Sequence, residues 1–217
     1  MKFLISTVLF SLTTVTACGQ SFEAKIVYEN SFKSKLSSVS DAQFTSLMGS
    51  RQVYFIKGGN YKSVSNGTSF SWQIYVNKDN KLYNKFADSE TIFWSDGGLA
   101  DEPILETIHN KNVAEILGYK CDELILKSKS KTEKYYFNSK LGVDVKLYAR
   151  HLFGNWYEYL QIAKALPLKM VIDDPEFTMT SVAMEVETMK LDDREFQLPL
   201  NPDYALERTK GNSKVLE

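Results

Sequence analysis

The chain has 217 residues, 43% of them apolar and 13% aromatic, with 26 Lys and Arg against 27 Asp and Glu. Such a composition excludes a disordered chain, and near-neutral charge with no Lys/Arg block argues against a nucleic-acid or anionic-membrane partner. The length suits one domain with a core of its own.

The N-terminus reads as three zones. Lys2 is followed by an apolar run over residues 3–10, interrupted only by Ser6 and Thr7, and then by a mixed stretch ending at Cys18. That is the layout of a secretion signal, and the run is far short of the ~20 apolar residues a membrane-spanning helix needs. Val15-Thr16-Ala17-Cys18 resembles the lipobox of bacterial lipoproteins. The resemblance implies cleavage after Ala17 and a diacylglycerol thioether on Cys18, whose two or three acyl tails would hold the chain firmly to a membrane. Ordinary cleavage near Ala17 or after Gln20 is the alternative. The expected division is a signal peptide over 1–17, lipidated Cys18 with a short tether over 18–21, and a single β domain over 22–217.

Past the tether, Phe22, Ala24, Ile26, Tyr28 and Phe32 alternate with Glu23, Lys25, Glu29 and Ser31, which predicts a long half-buried strand. The same period recurs at Phe70-Trp72-Ile74-Val76 and at Val143-Val145-Leu147. Less regular apolar runs cover 53–56, 82–86, 92–94, 124–126, 135–137, 168–172 and 177–186. Turn chemistry separates them: Gly58-Gly59-Asn60, Asn66-Gly67, Asn77-Lys78-Asp79-Asn80, Asp96-Gly97-Gly98, Asn138-Ser139 and Asp173-Asp174-Pro175. About ten strands at hairpin spacing predict a large antiparallel sheet. Three helices interrupt it. One starts at a capping box of Ser40 and Gln43, with Val39 and Phe44 as hydrophobic staple and Gly49 at its end. A second is expected over 101–109, with Pro103 in its first turn. A third is expected over 150–165, where Leu152, Trp156, Leu160 and Ala163 repeat at helical spacing before Pro167.

The segments Phe22-Glu-Ala-Lys-Ile-Val-Tyr28, Ile116-Leu-Gly-Tyr-Lys-Cys-Asp-Glu-Leu124, Leu166-Pro-Leu-Lys-Met170 and Phe196-Gln-Leu-Pro199 together resemble a family of exported proteins and lipoproteins of Bacteroidota. That family is related in fold to the Lol-type lipoprotein carriers and receptors. The resemblance implies a strongly curved antiparallel sheet, an unclosed β-barrel, with short helices over its concave face and an apolar cavity between. The apolar loop that the Lol-type receptor inserts into a membrane has no clear counterpart; Leu99 and Ile104-Leu105 are the nearest candidates.

Catalytic and metal signatures are sparse. His109 and His151 have no Cys, His or acidic neighbour at metal-ligand spacing, and no Gly-x-Ser-x-Gly elbow occurs. Asp173-Asp174 and Asp192-Asp193 sit where turns are expected, and Asn66-Gly67-Thr68 is an incidental sequon. Cys121 reads as a small buried hydrophobe rather than the partner of His151 in a nucleophile pair. The expected function is non-catalytic. It is an exported lipoprotein facing the periplasm, tied to the outer membrane through Cys18, that binds a lipid or acyl chain without a cofactor. Phe70, Trp72, Ile74, Leu152, Trp156 and Leu160 are the expected ligand contacts, on the premise that sheet and third helix line one space. The alternative is an interaction lipoprotein with a fully packed core that holds a protein partner at a sheet edge.

Overall fold

The alternation after the tether produces β1 (Ala24–Ser34), whose residues Ala24, Ile26, Tyr28 and Phe32 are all buried. A strand with a fully covered face belongs inside a sheet. In the computed structural model, which describes residues 22–199 and 205–209, β1 lies between β2 (Arg51–Lys57) and β11 (Phe177–Thr188). The signal segment, Cys18 and the tether lie outside the described residues.

The other strands are β3 (Asn60–Ser65), β4 (Phe70–Val76), β5 (Lys81–Phe86), β6 (Thr91–Asp96), β7 (Glu106–Ile116), β8 (Tyr119–Lys127), β9 (Thr132–Gly142), β10 (Ala165–Asp173) and β12 (Ala205–Arg208). They form one curved, unclosed 12-stranded sheet in the order β12-β6-β5-β4-β3-β2-β1-β11-β10-β9-β8-β7. All neighbours are antiparallel except β12, which runs parallel to β6. The hairpin chemistry explains the order, because each short turn returns the chain beside the strand it left. Two connections depart from this pattern among the described residues: the chain crosses from β6, near one edge, to β7 at the other, which lets β11 pair with β1, and it returns after β11 to set β12 beside β6.

Two short helices sit on the sheet. α1 (Asp41–Met48) begins at the expected capping box: the Gln43 N–H donates to Ser40 Oγ at 3.2 Å, and the Ser40 N–H donates to Gln43 Oε1 at 2.9 Å. Phe44 is driven between Phe32 and Phe177, at ring distances of 5.3 and 4.9 Å. Gly49 ends the helix at φ 95°, where a Cβ would collide with the Ser65 hydroxyl. α2 (Trp156–Ala163) is the core of the third expected helix.

Three local expectations are corrected. Residues 143–147 form no strand: Asp144 accepts from the Lys146 N–H and winds Val145–Tyr148 into a 3-10 turn. Val143, Val145 and Leu147 still pack on the core, so burial alone generated their alternation. The helix expected over 101–109 is absent. From Glu106 onward the chain pairs with β8, and pairing over an edge of this length outweighs the weak helical signal around Pro103. His109 is accordingly a mid-strand residue, 3.0 Å from Asp122 Oδ2. The helix expected over 150–165 is shortened, because Gly154 and Asn155 take left-handed φ values of 67° and 52°, and Lys164 takes 52° at the other end.

The core occupies the concave face. It joins Ile26, Tyr28, Tyr54, Ile56, Tyr61 and Tyr75 to Leu124, Tyr135, Phe137 and Leu168, with Tyr148, Tyr159 and Leu160 of the crossing segment pressed between. Cys121 is fully buried here, as its sequence context suggests, and its Sγ donates to the Tyr119 carbonyl at 3.3 Å.

Candidate ligand-binding site

Between β9 and β10 the chain leaves the sheet, and residues 144–163 cross over its concave side. Period-two placement puts Tyr28, Tyr54, Tyr61 and Tyr75 on that side of four adjacent strands, and their rings form a ladder. Tyr54 stacks on Tyr61 and Tyr61 on Tyr75, each at 5.3 Å. His151 continues the ladder from the crossing segment, 4.0 Å from the Tyr75 ring, with Nε2 2.8 Å from the Tyr61 hydroxyl. Burial pulls the His151 pKa down to about 3, so the imidazole is neutral, and its Nδ1 has no hydrogen-bond partner. The same burial pushes the hydroxyls of Tyr54 and Tyr61 well above the usual tyrosine range.

Several bonds hold the crossing segment down. The Leu152 and Phe153 N–H groups donate to the Gly97 carbonyl at 2.7 and 3.0 Å. Tyr159 packs on Tyr135 at 4.2 Å and donates to the Ala165 carbonyl at 2.8 Å. At the head of α2, Asn155 donates to Glu133 Oε2 at 3.0 Å; Tyr135 donates to Glu133 Oε1 at 3.2 Å. Glu133 also pairs with Lys131 at 3.0 Å, and Lys131 with Asp101 at 3.2 Å. A carboxylate only 3% exposed is thereby satisfied on both oxygens.

Between α2 and the ladder packing is incomplete. A cavity of about 160 Å³ remains, lined by aromatic and aliphatic side chains, among them Tyr54, Tyr61, Trp156 and Met170, with two amides, Gln52 and Gln73. Trp156 meets Tyr61 edge-on at 6.3 Å and lies 5.4 Å from Tyr159. Larger hollows elsewhere, about 600 Å³ beside α1 and about 410 Å³ around Phe22, are open and lined largely by short polar or charged groups. The largely aromatic and aliphatic lining of the space under Trp156 makes it the candidate site.

The six residues expected to touch ligand do not line one space. Trp156 lines the cavity, and Leu160 is fully buried in the core beneath it. Leu152 is half-buried at the Gly97 contact, outside the lining. On β4, Gln73 and Tyr75 face the concave side, so Trp72 and Ile74 point to the convex one. There the 3-10 turn Asp193–Phe196 lies against β3 and β4, tied by Lys62–Glu195 at 3.3 Å. A register shift between Phe70 and Trp72 returns Phe70 to the concave side, beyond the cavity, 6.1 Å from Phe86. The error came from assuming that the more apolar face of β4 is the inner one; here the inner face carries Gln73 and Tyr75. The tyrosines, spread one per strand, gave no local sequence signal. Among the described residues no three His, Cys, Asp or Glu side chains converge as a metal site, and no helix is long and apolar enough to cross a membrane.

No family model and no curated protein matches the chain. Among solved structures it is similar to PNGF-II in two crystal forms, at 14% identity with TM-scores of 0.47 and 0.48 over 87% and 88% of this chain. The chain spans about a third of the length of PNGF-II, 32% and 31% in the two forms. A LolA superfamily protein from Nitrosomonas europaea is similar at 9% identity, TM-score 0.40, over 82% of this chain and 91% of that one. LprF from Mycobacterium bovis is similar at 8% identity, TM-score 0.33, over 79% of this chain and 88% of that one.

Proposed function

We propose that this chain is a non-catalytic, exported binding protein, anchored through Cys18, that holds an apolar group of a ligand in the cavity between the tyrosine ladder and α2. The observation that carries the reading is that cavity, about 160 Å³ with aromatic walls, beside the buried core of the concave face. Its size limits the ligand. An apolar cavity of ~150 Å³ accepts benzene, whereas drug-sized ligands occupy roughly 300–1,000 Å³. One ring or the end of an acyl chain fits; a whole diacyl lipid does not unless α2 lifts.

The test is mass spectrometry of an organic extract of purified protein, run beside Met170→Trp, whose larger side chain fills the cavity. An apolar compound recovered near-stoichiometrically from wild type and lost from the variant supports the reading. Equal recovery from both, or none from wild type, refutes it. The anchor is tested separately by metabolic palmitate labelling with Cys18→Ala as control, and an unlabelled wild type removes the anchor but leaves the cavity. A second reading, a protein-partner module, has one observation in its favour: among the described residues β7 pairs only with β8, and Leu105 beside it is 71% exposed.

A further inference from the structure

We infer that the ligand of this cavity is neutral and bears a carbonyl acceptor, an ester or amide of ring or short-chain size, with the Trp156 indole N–H as its donor. The inference rests on the cavity being the binding site proposed above.

Trp156 Nε1 is buried and has no hydrogen-bond partner. Buried indole N–H groups ordinarily find an acceptor, because leaving one unpaired forfeits its hydration. The ring is held on two sides by Tyr61 and Tyr159, so the N–H cannot turn to solvent without breaking both contacts. Since Trp156 lines the cavity, a group entering that space is the acceptor within reach.

The lining contains no Lys, Arg, Asp, Glu or His. A carboxylate placed there would lose water and gain no counter-ion, which disfavours a free acid head. The tyrosine hydroxyls around it stay protonated across the ordinary pH range, so they add no charge. The amides complete the pattern. Gln52 Nε2 donates to Ser63 Oγ at 2.6 Å and Gln73 Nε2 to Asn84 Oδ1 at 2.8 Å. Each bond uses one of the two N–H groups of its amide, and a side-chain amide also carries a carbonyl acceptor, so the pair is suited to the mixed donor and acceptor character of an amide ligand.

The experiment titrates methyl hexanoate, hexanamide, the hexanoate ion and heptane into the mature chain at about pH 8, following the Met170 methyl resonance in methyl-labelled protein. The ester and amide are expected to bind about tenfold more tightly than hexanoate or heptane, the effect of one net hydrogen bond. Trp156→Phe keeps an aromatic ring and removes the donor. It should weaken the ester about tenfold more than it weakens heptane, whose residual binding also shows that the variant is folded. Equal binding of ester and heptane by wild type, or equal weakening of both by Trp156→Phe, overturns the carbonyl assignment and leaves an apolar site. If none of the four shifts Met170, the cavity reading fails and this inference fails with it.

Discussion

Replacing His151 with Phe should reverse the order of stability between wild type and variant as pH falls. His151 is 1% exposed and its pKa is lowered from 6.5 to about 3 by burial. The unfolded chain therefore takes up a proton below 6.5 that the folded chain refuses until about 3, so folding stability drops across that window. At 1.36 kcal/mol per unit, the loss reaches about 3 kcal/mol by pH 4. Phe keeps the stacking on Tyr75 but strands the Tyr61 hydroxyl, which costs ~1–3 kcal/mol at neutral pH. Urea unfolding at pH 7.5 should rank wild type above His151→Phe, and at pH 4 the variant above wild type. Both chains share the carboxylates that also titrate, so only the difference between them is informative. Two stability curves that stay parallel from pH 7.5 to 4 would refute the argument, because they would mean that His151 is solvated or protonated in the folded protein.

Lys131→Met removes the cation beside a buried carboxylate and should destabilise by about 3–5 kcal/mol, while the double variant with Glu133→Gln should recover much of that loss in chemical unfolding. Cys121, fully buried with its thiol pushed up by burial, should react with a thiol reagent only after denaturation; Cys121→Ser should cost ~1–3 kcal/mol. Fast native labelling would contradict its place in the core. Trp72→Phe should leave ligand titrations unchanged, because Trp72 faces the convex side, whereas Trp156 emission should respond to ligand; the reverse result would invert the assignment of faces on β4.

Wherever the determinants were short-range, the sequence by itself was decisive. The alternation over 22–32 produced β1, the Gly and Asn turns produced the hairpins, and Ser40 with Gln43 opened α1, because side-chain period and local hydrogen bonds need no distant partner. A large antiparallel sheet followed from many strands at hairpin spacing, its curvature from the family resemblance alone, and the burial of Cys121 from its being an isolated cysteine in a strand. What only the tertiary structure decided was which face of each strand turns inward. Trp72 and Ile74 are more apolar than Gln73 and Tyr75, yet the latter pair faces the core, because the concave side is closed by Tyr148, His151, Trp156 and Tyr159 from a segment some eighty residues away. Likewise the 3-10 turn at Val145–Tyr148 and the strand at Glu106–Ile116 arose from long-range packing and pairing that outweighed the local pattern. The cavity under Trp156 belongs to the same class of fact, since it is the small misfit left where two independently patterned segments meet, and no local stretch of sequence encodes the shape of a gap between them.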